Sequence, residues 1–364
     1  MFRDMTGTFQ PHRPHGRPPV VASGRDGGDP GRRGHLTVAS IARLAGVSAP
    51  TVSRVLNGRS GVGLDTRRRV EEVLREHRYR RPDQPSPAAT VEVVFSDVES
   101  QIAVEVMRGV SRVAREHRLA ATFVEIPRRN IDDPSWADDL RARRPHGIIT
   151  VHSDMGAERY AQFDTSAIPL VALDPTGESV HSVPSVGSTD WSGGIAAARH
   201  LYDLGHRRIA AISGPLSYLC ARARLEGCRA ALENAGAPIE PSLVRTGRFH
   251  FDDGLALGRE LLAQPGPPTA VVCGNDLQAL GVYEAARQAG VRIPDDLSVI
   301  GFDDLVYTRW CGPPMTSVRQ PFADMGATAA GMVLALAAGE ELPQTRIELA
   351  TTLVVRQSTA PPRS

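Results

Sequence analysis

The stretch "GVSAPTVSRVLNG", Gly46 to Gly58, has too few large apolar residues to anchor a core alone, yet Ser, Thr, Arg and Asn recur in it at close spacing. Thr37 can cap the preceding "VASIARLA", whose Val38, Ile41, Ala42 and Ala45 share one helical face. Gly46 ends that helix. Ser48 is placed to cap a second helix with Pro50 in its first turn, where a missing N–H is tolerated. Val52, Val55 and Leu56 give this helix a narrow apolar stripe, and Asn57-Gly58 stops it. A third helix is predicted over 65–78, with Val70, Val73, Leu74 and His77 in register.

Two short helices joined by the tight "AGVS" turn fit a helix-turn-helix, although an ordinary helical hairpin has the same spacing. In the DNA-binding reading Ala49, Pro50, Ser53 and Arg54 face the major groove, while Val52, Val55 and Leu56 hold the helix to its neighbours. Arg54 can give guanine a bidentate bond, worth roughly 1–3 kcal/mol of discrimination. Thr51, Ser53 and Asn57 are suited to phosphates, and the caps Thr37 and Ser48 join the same set.

Charge supports a polyanion partner. All the basic residues other than histidine are arginine, and residues 1–84 hold 16 of them against 8 acids, while the remainder holds 26 against 33. A near-neutral whole thus divides into a basic head and an acidic body. Residues 1–34 are rich in Pro, Gly and Arg without periodicity and read as a disordered extension, a solvated tail or a start placed too early. Residues 35–81 form the helical head. Residues 82–90, "PDQPSPAAT", read as a linker.

From Val91 the apolar runs "VEVVF", "HGIITV", "IPLVAL", "RIAAIS", "TAVVC" and "LSVIGF" alternate with helical segments at 101–116, 192–204, 222–235, 252–263, 276–289 and 323–338. That alternation predicts parallel sheets covered by helices, and the length favours two lobes. No apolar run is long enough for a membrane-spanning helix, and no secretory signal opens the chain. The four cysteines, Cys220, Cys228, Cys273 and Cys311, form no C-x-x-C pair and read as reduced thiols rather than a metal site. No G-x-S-x-G, P-loop or H-E-x-x-H occurs, so no catalytic residue, metal or cofactor is expected.

Beyond spacing, "LTVASIARLAGVSAPTVSRVLNG" with "TRRRVEEVLREHRYRRP" resembles the DNA-binding head of the lactose-repressor family of bacterial transcription regulators. "GHRRIAAISGP", "ARARLEGCRAAL", "GNDLQALGVYEAARQAGVRIPDDLSVIGFDD" and "PPMTSVRQPFADMGATAA" continue the likeness in order, to about residue 359. The resemblance implies an all-α helix-turn-helix head plus an α/β two-lobed, periplasmic-binding-protein-like (type I) domain with parallel sheets. It places lobe one at about 91–190 and 320–344, and lobe two at about 191–319 and 345–359. An effector would sit between the lobes.

Residue by residue, the resemblance makes Arg224 the ligand arginine and Asn275, Asp303 and Asp174 hydroxyl partners. Phe249 becomes a stacking face, though such a residue alone is more often core than not. Asp190 touches ligand or holds the hinge. Asp304 and Asp276 are assigned to structure, Asp276 as a helix cap, and Arg222 to the surface. His206 is assigned a structural place at a helix–strand turn. The implied partners are a palindromic operator bound by a homodimer and a small-molecule effector, a mono- or oligosaccharide. The implied function is a cytoplasmic, nucleoid-associated repressor of carbohydrate-utilisation genes released by that sugar. A repressor or activator dependent on a purine-like corepressor, and a sugar-binding module without regulatory DNA binding, are the alternatives. One departure stands out. The family's linker bears a leucine wedge for the minor groove, and here the linker is shorter, proline-rich and lacks it.

Overall fold

The computed structural model describes residues 37–56, 62–77, 88–95, 101–126, 135–151, 168–175 and 183–363. The chain divides into two compact units, Met1–Pro82 and Asp83–Ser364. The predicted extension at 1–34 lies outside the described residues, as do 82–87 of the linker.

The head consists of α1 (Val38–Leu44), α2 (Ala49–Leu56) and α3 (Leu64–Glu76). Its core gathers Ile41, Ala42 and Ala45 of the first helix region, Val52 and Val55 of α2, and Val70 of α3. Val73 and Leu74 pack against that core. His77 does not, because α3 ends at Glu76 and the histidine stands exposed in the following turn. Thr37 caps α1, its Oγ1 accepting from the Ser40 N–H at 3.2 Å.

The second unit contains two six-stranded sheets. The first has the order β11-β5-β4-β3-β1-β2, where β1 is Ala88–Phe95, β2 Ala120–Glu125, β3 Pro145–Val151, β4 Leu170–Leu173, β5 Ser185–Ser188 and β11 Arg346–Leu349. All its pairings are parallel. The second has the order β12-β10-β9-β8-β6-β7, with β6 Ile209–Ser213, β7 Val244–Thr246, β8 Ala270–Cys273, β9 Ser298–Asp303, β10 Thr316–Arg319 and β12 Thr352–Val354. Only the edge strand β12 runs antiparallel there. Central strands such as β6 and β8 are buried at every position, as expected where helices cover both faces.

Helices α4 (Gln101–Glu116), α5 (Ser135–Arg143) and α10 (Phe322–Ala337) belong to the first lobe. Helices α6 (Asp190–Asp203), α7 (Leu219–Asn234), α8 (Phe251–Leu262) and α9 (Asp276–Ala289) belong to the second. The chain therefore crosses between lobes at Thr189, at Gln320–Pro321 and at Ala350–Thr351. Two expectations change. β1 begins at Ala88, so the linker loses its last three expected residues to the sheet. Residues 346–349, assigned to lobe two, pair with β5 in lobe one, so the third crossing comes near Thr351. The strand is four residues of alternating exposure at a sheet edge, too short and too polar to stand out in sequence.

Glycines bring α6 and α7 together. A Cβ on Gly194 would stand 2.1 Å from the Arg224 carbonyl oxygen, and one on Gly227 2.1 Å from that of Trp191. The two backbones touch there, which sets Asp190 at the start of α6 beside Arg224 on α7. Away from the lobe crossings, His206 ties the C-terminal segment down, with Nδ1 2.8 Å from Thr269 Oγ1 and Nε2 2.9 Å from the Ala360 carbonyl. Three cysteines are buried and all four are free thiols. Replacing Gly227 by Ala forces the helices apart and should cost roughly 1–3 kcal/mol of stability in denaturant unfolding. An unchanged midpoint would show that the α6–α7 contact is slack.

Candidate functional sites: the head helix and the inter-lobe cluster

In the head, α2 buries Val52 and Val55 and leaves Ala49, Pro50 and Arg54 exposed, with Thr51 and Ser53 half-buried. Ser48 opens the helix, its Oγ accepting from the Thr51 N–H at 3.3 Å, with the two hydroxyls 2.8 Å apart. Positions 49, 50, 53 and 54 thus lie on the outward side of α2, which carries a single guanidinium, that of Arg54. Thr37 is exposed at the start of α1. Asn57 lies outside the described residues.

In the second unit the chemistry concentrates at strand C-termini, where open α/β sheets place ligands. Arg224 is 6 % exposed despite its charge. Its Nε donates to Asp190 Oδ1 at 2.7 Å, and one terminal nitrogen donates to the Gly274 carbonyl at 2.8 Å and lies 3.5 Å from Asp303 Oδ1. The guanidinium carbon sits 3.9 Å from the centroid of the Phe302 ring and 5.8 Å from that of Phe249. Burial disfavours this cation, but the acids around it more than compensate, and it stays charged. Arg222, two residues earlier, is exposed, which separates the two arginines of "ARAR".

Asp303 ends β9 and is 3 % exposed, with φ of 105°. Asp174, just after β4, is also buried and holds φ of 47°. Both backbones lie in the left-handed half of conformational space, a strained placement for residues with a Cβ. Phe249 is half-buried, its ring centroid 6.3 Å from that of Tyr218. Asn275 is the N-cap of α9: its Oδ1 accepts from the Gln278 N–H at 2.9 Å and its Nδ2 donates to the Phe249 carbonyl at 3.1 Å. These two bonds use one amide hydrogen and one lone pair of the side chain. This capping was expected of Asp276, which instead accepts from the Leu305 N–H at 2.8 Å and the Ser317 hydroxyl at 2.5 Å. Asp304 is bound by Arg319 and Arg356, 2.8 and 2.6 Å away, and serves structure as expected.

Three participants were not singled out from sequence. Phe302 lies within "VIGFDD" and Gln320 within "SVRQPF", but neither residue type announces a role. Ser188 closes the short strand β5. A cavity of ≈ 20 Å³ behind Arg224, lined among others by Gly194, Cys228, Val272 and Phe302, has room for one water and no ligand. Among the described residues no group of three His, Cys, Asp or Glu could hold a metal ion, and no helix is long and apolar enough to cross a membrane.

Burial pushes the Asp190 carboxyl from 3.8 up to about 6, against the pull of Arg224. The folded chain then takes up a proton between pH 6 and 4 that the unfolded chain does not. This contribution to stability is fully present below about pH 4 and is lost as pH rises from there through 6, at up to about 1.4 kcal/mol per pH unit. Asp190→Asn should flatten that part of the stability–pH curve in denaturant unfolding. An unchanged slope would place the proton on another group.

The comparisons agree with this geometry. Residues 37–82 match the bacterial regulatory proteins of the lacI family, and residues 198–359 match a periplasmic binding protein-like domain. The HTH-type transcriptional repressor CytR of Escherichia coli (strain K12) is 29 % identical over 328 residues, 89 % of this chain and 96 % of that one. Catabolite control protein A of Priestia megaterium is 30 % identical over 331 residues, 89 % of this chain and 99 % of that one. A solved structure of a transcriptional regulator CelR–cellobiose complex aligns with a TM-score of 0.69 at 32 % identity, covering 89 % of this chain and 99 % of that one. With a polar helix-turn-helix head, two parallel sheets joined by three crossings and relatives alike across nearly their whole length, the chain belongs to the lacI family of bacterial DNA-binding transcription regulators.

Proposed function

We propose that this regulator is a repressor of carbohydrate-utilisation genes, released from its operator by an uncharged sugar bound at the Arg224 cluster. The observation that carries the reading is the balance of charge there. Among the described residues of the cluster, three carboxylates (Asp174, Asp190 and Asp303) face one guanidinium already engaged by two of them. Such a set repels phosphate or carboxylate and welcomes hydroxyls, which donate to the carboxylates and accept from Arg224. Phe249 offers an apolar ring to the carbon face of a sugar. The CelR relative, solved with cellobiose, supports the same class of ligand.

In the head, α2 reads DNA. Arg54 is the base-reading side chain, while Ser48, Thr51, Ser53, Asn57 and Thr37 set register on phosphates; Ala49 and Pro50 approach the base edges. A head of three short helices binds weakly alone, so two heads of a homodimer read a pseudo-palindrome. A ligand that binds one lobe arrangement better than another shifts the population of the operator-binding state. The protein works in the cytoplasm, where its DNA is.

The test is capture of sheared genomic DNA by the purified full chain, with and without a mixture of neutral sugars, beside Arg54→Ala. The parent should enrich a palindrome that sugar weakens at least tenfold. Arg54→Ala should lose that enrichment, consistent with about 1–3 kcal/mol per base contact in each of two heads. Enrichment strengthened by the mixture would make the ligand a corepressor, and an unaffected Arg54→Ala would remove α2 as the reading helix.

A further inference from the structure

The cleft cluster and the chain crossings share side chains. Gln320 stands in the second crossing, between β10 and α10, and is 4 % exposed. Its Nε2 donates to Asp303 Oδ1 at 2.7 Å, and its Oε1 accepts from the Ser188 hydroxyl at 2.6 Å. That orientation of the amide is required, because the Asp303 carboxylate can only accept. Ser188 is buried too and directly precedes the first crossing at Thr189. Arg224 joins Asp190 to Asp303 from the other side. Five buried side chains, Arg224, Asp190, Ser188, Gln320 and Asp303, therefore form a ring that closes through the backbone of Ser188, Thr189 and Asp190.

We propose that Ser188 and Gln320 are positioning residues that carry the state of the Arg224 cluster to the lobe crossings. A ligand that displaces Arg224 from Asp303 then shifts the first two crossings. The ligand's identity rests on the sugar reading above; the relay does not. The Gln320 amide is bonded on both sides, its Oε1 to the Ser188 hydroxyl and its Nε2 to Asp303, so turning it to follow one partner breaks the other bond. Every ring member is buried, so a polar atom that loses its partner has no water to replace it, and the ring rearranges as a unit. The third crossing follows the first. The Thr351 N–H donates to Thr189 Oγ1 at 2.9 Å, and the Thr351 hydroxyl donates to the Thr189 carbonyl at 3.1 Å.

Independent clamps at Ser188 and at Asp303 would give additive effects on the crossings, whereas one connected ring makes them depend on one another. The test is amide hydrogen exchange of the full chain without sugar, read at the backbone N–H of Gln320 and of Thr351. Four proteins form the cycle: parent, Ser188→Ala, Asp303→Asn and the double variant, repeated in Gln320→Met. Asp303→Asn should speed exchange at Thr351 by roughly fivefold in the parent and by less than about twofold once Ser188 is Ala. The dependence should vanish in Gln320→Met. Additive effects in folded variants would overturn the relay, and if Gln320→Met does not fold, the Ser188–Asp303 cycle decides alone. Because no sugar enters this experiment, a failure of neutral sugars to release DNA would fault the ligand assignment and leave the relay to stand or fall on the cycle.

Discussion

A guanidinium buried to 6 % exposure is the constraint on which the second lobe's site depends. Removing that charge from water is costly and is tolerated only with close, well-aligned partners. Here they come from four places: Asp190 at the head of α6, the Gly274 carbonyl after β8, Asp303 at the end of β9 and the Phe302 face. Each must arrive within a few ångströms of Arg224. The bare glycines at the α6–α7 contact make the first arrival possible. The strained backbone at Asp303 accompanies another. A buried ion pair is weak evidence for stability, since apolar residues would stabilise the same space as well or better. Its retention at strand ends is better explained by what it can exchange: a hydroxyl-bearing ligand can take over hydrogen bonds the ring now makes to itself.

That economy links site to mechanics. The acids that hold Arg224 lie next to the segments by which the chain passes from lobe to lobe. Asp190 follows Thr189, and Asp303 is held by Gln320 of the second crossing. Thr189 and Thr351 are stitched by backbone and hydroxyl together. The effector proposed for the cluster would therefore act within one or two residues of the first two crossings, a short physical path for a population shift.

Much of this was legible in the sequence, and the limits have physical causes. The head could be read because caps, turn and stripe sit within a short window: Ser48, Gly46, Val52 and Val55 each act locally. The strand–helix alternation was equally plain, since doubly covered strands are continuous apolar runs. Arg224, Asp303 and Asn275 were picked out through resemblance, and the structure brings Arg224 and Asp303 together with Asp190. Asn275 proved to be committed first to capping α9, a use that "GND" leaves ambiguous with Asp276. Ser188 and Gln320 could not be read at all. Their meaning lies in a contact 132 residues apart in sequence, between two ordinary polar side chains. The edge strand β11 escaped for a related reason: its alternation is short, and only its partner β5 makes it a strand.

The most direct test of the central claim is calorimetric titration of the full chain and of Arg224→Gln with a panel of neutral mono- and disaccharides and their phosphorylated counterparts. The account predicts that a neutral sugar binds the parent, that its phosphorylated form does not, and that Arg224→Gln loses the binding while keeping a cooperative melt. A phosphorylated sugar bound as tightly as the neutral one, or a folded Arg224→Gln with undiminished affinity, would contradict it.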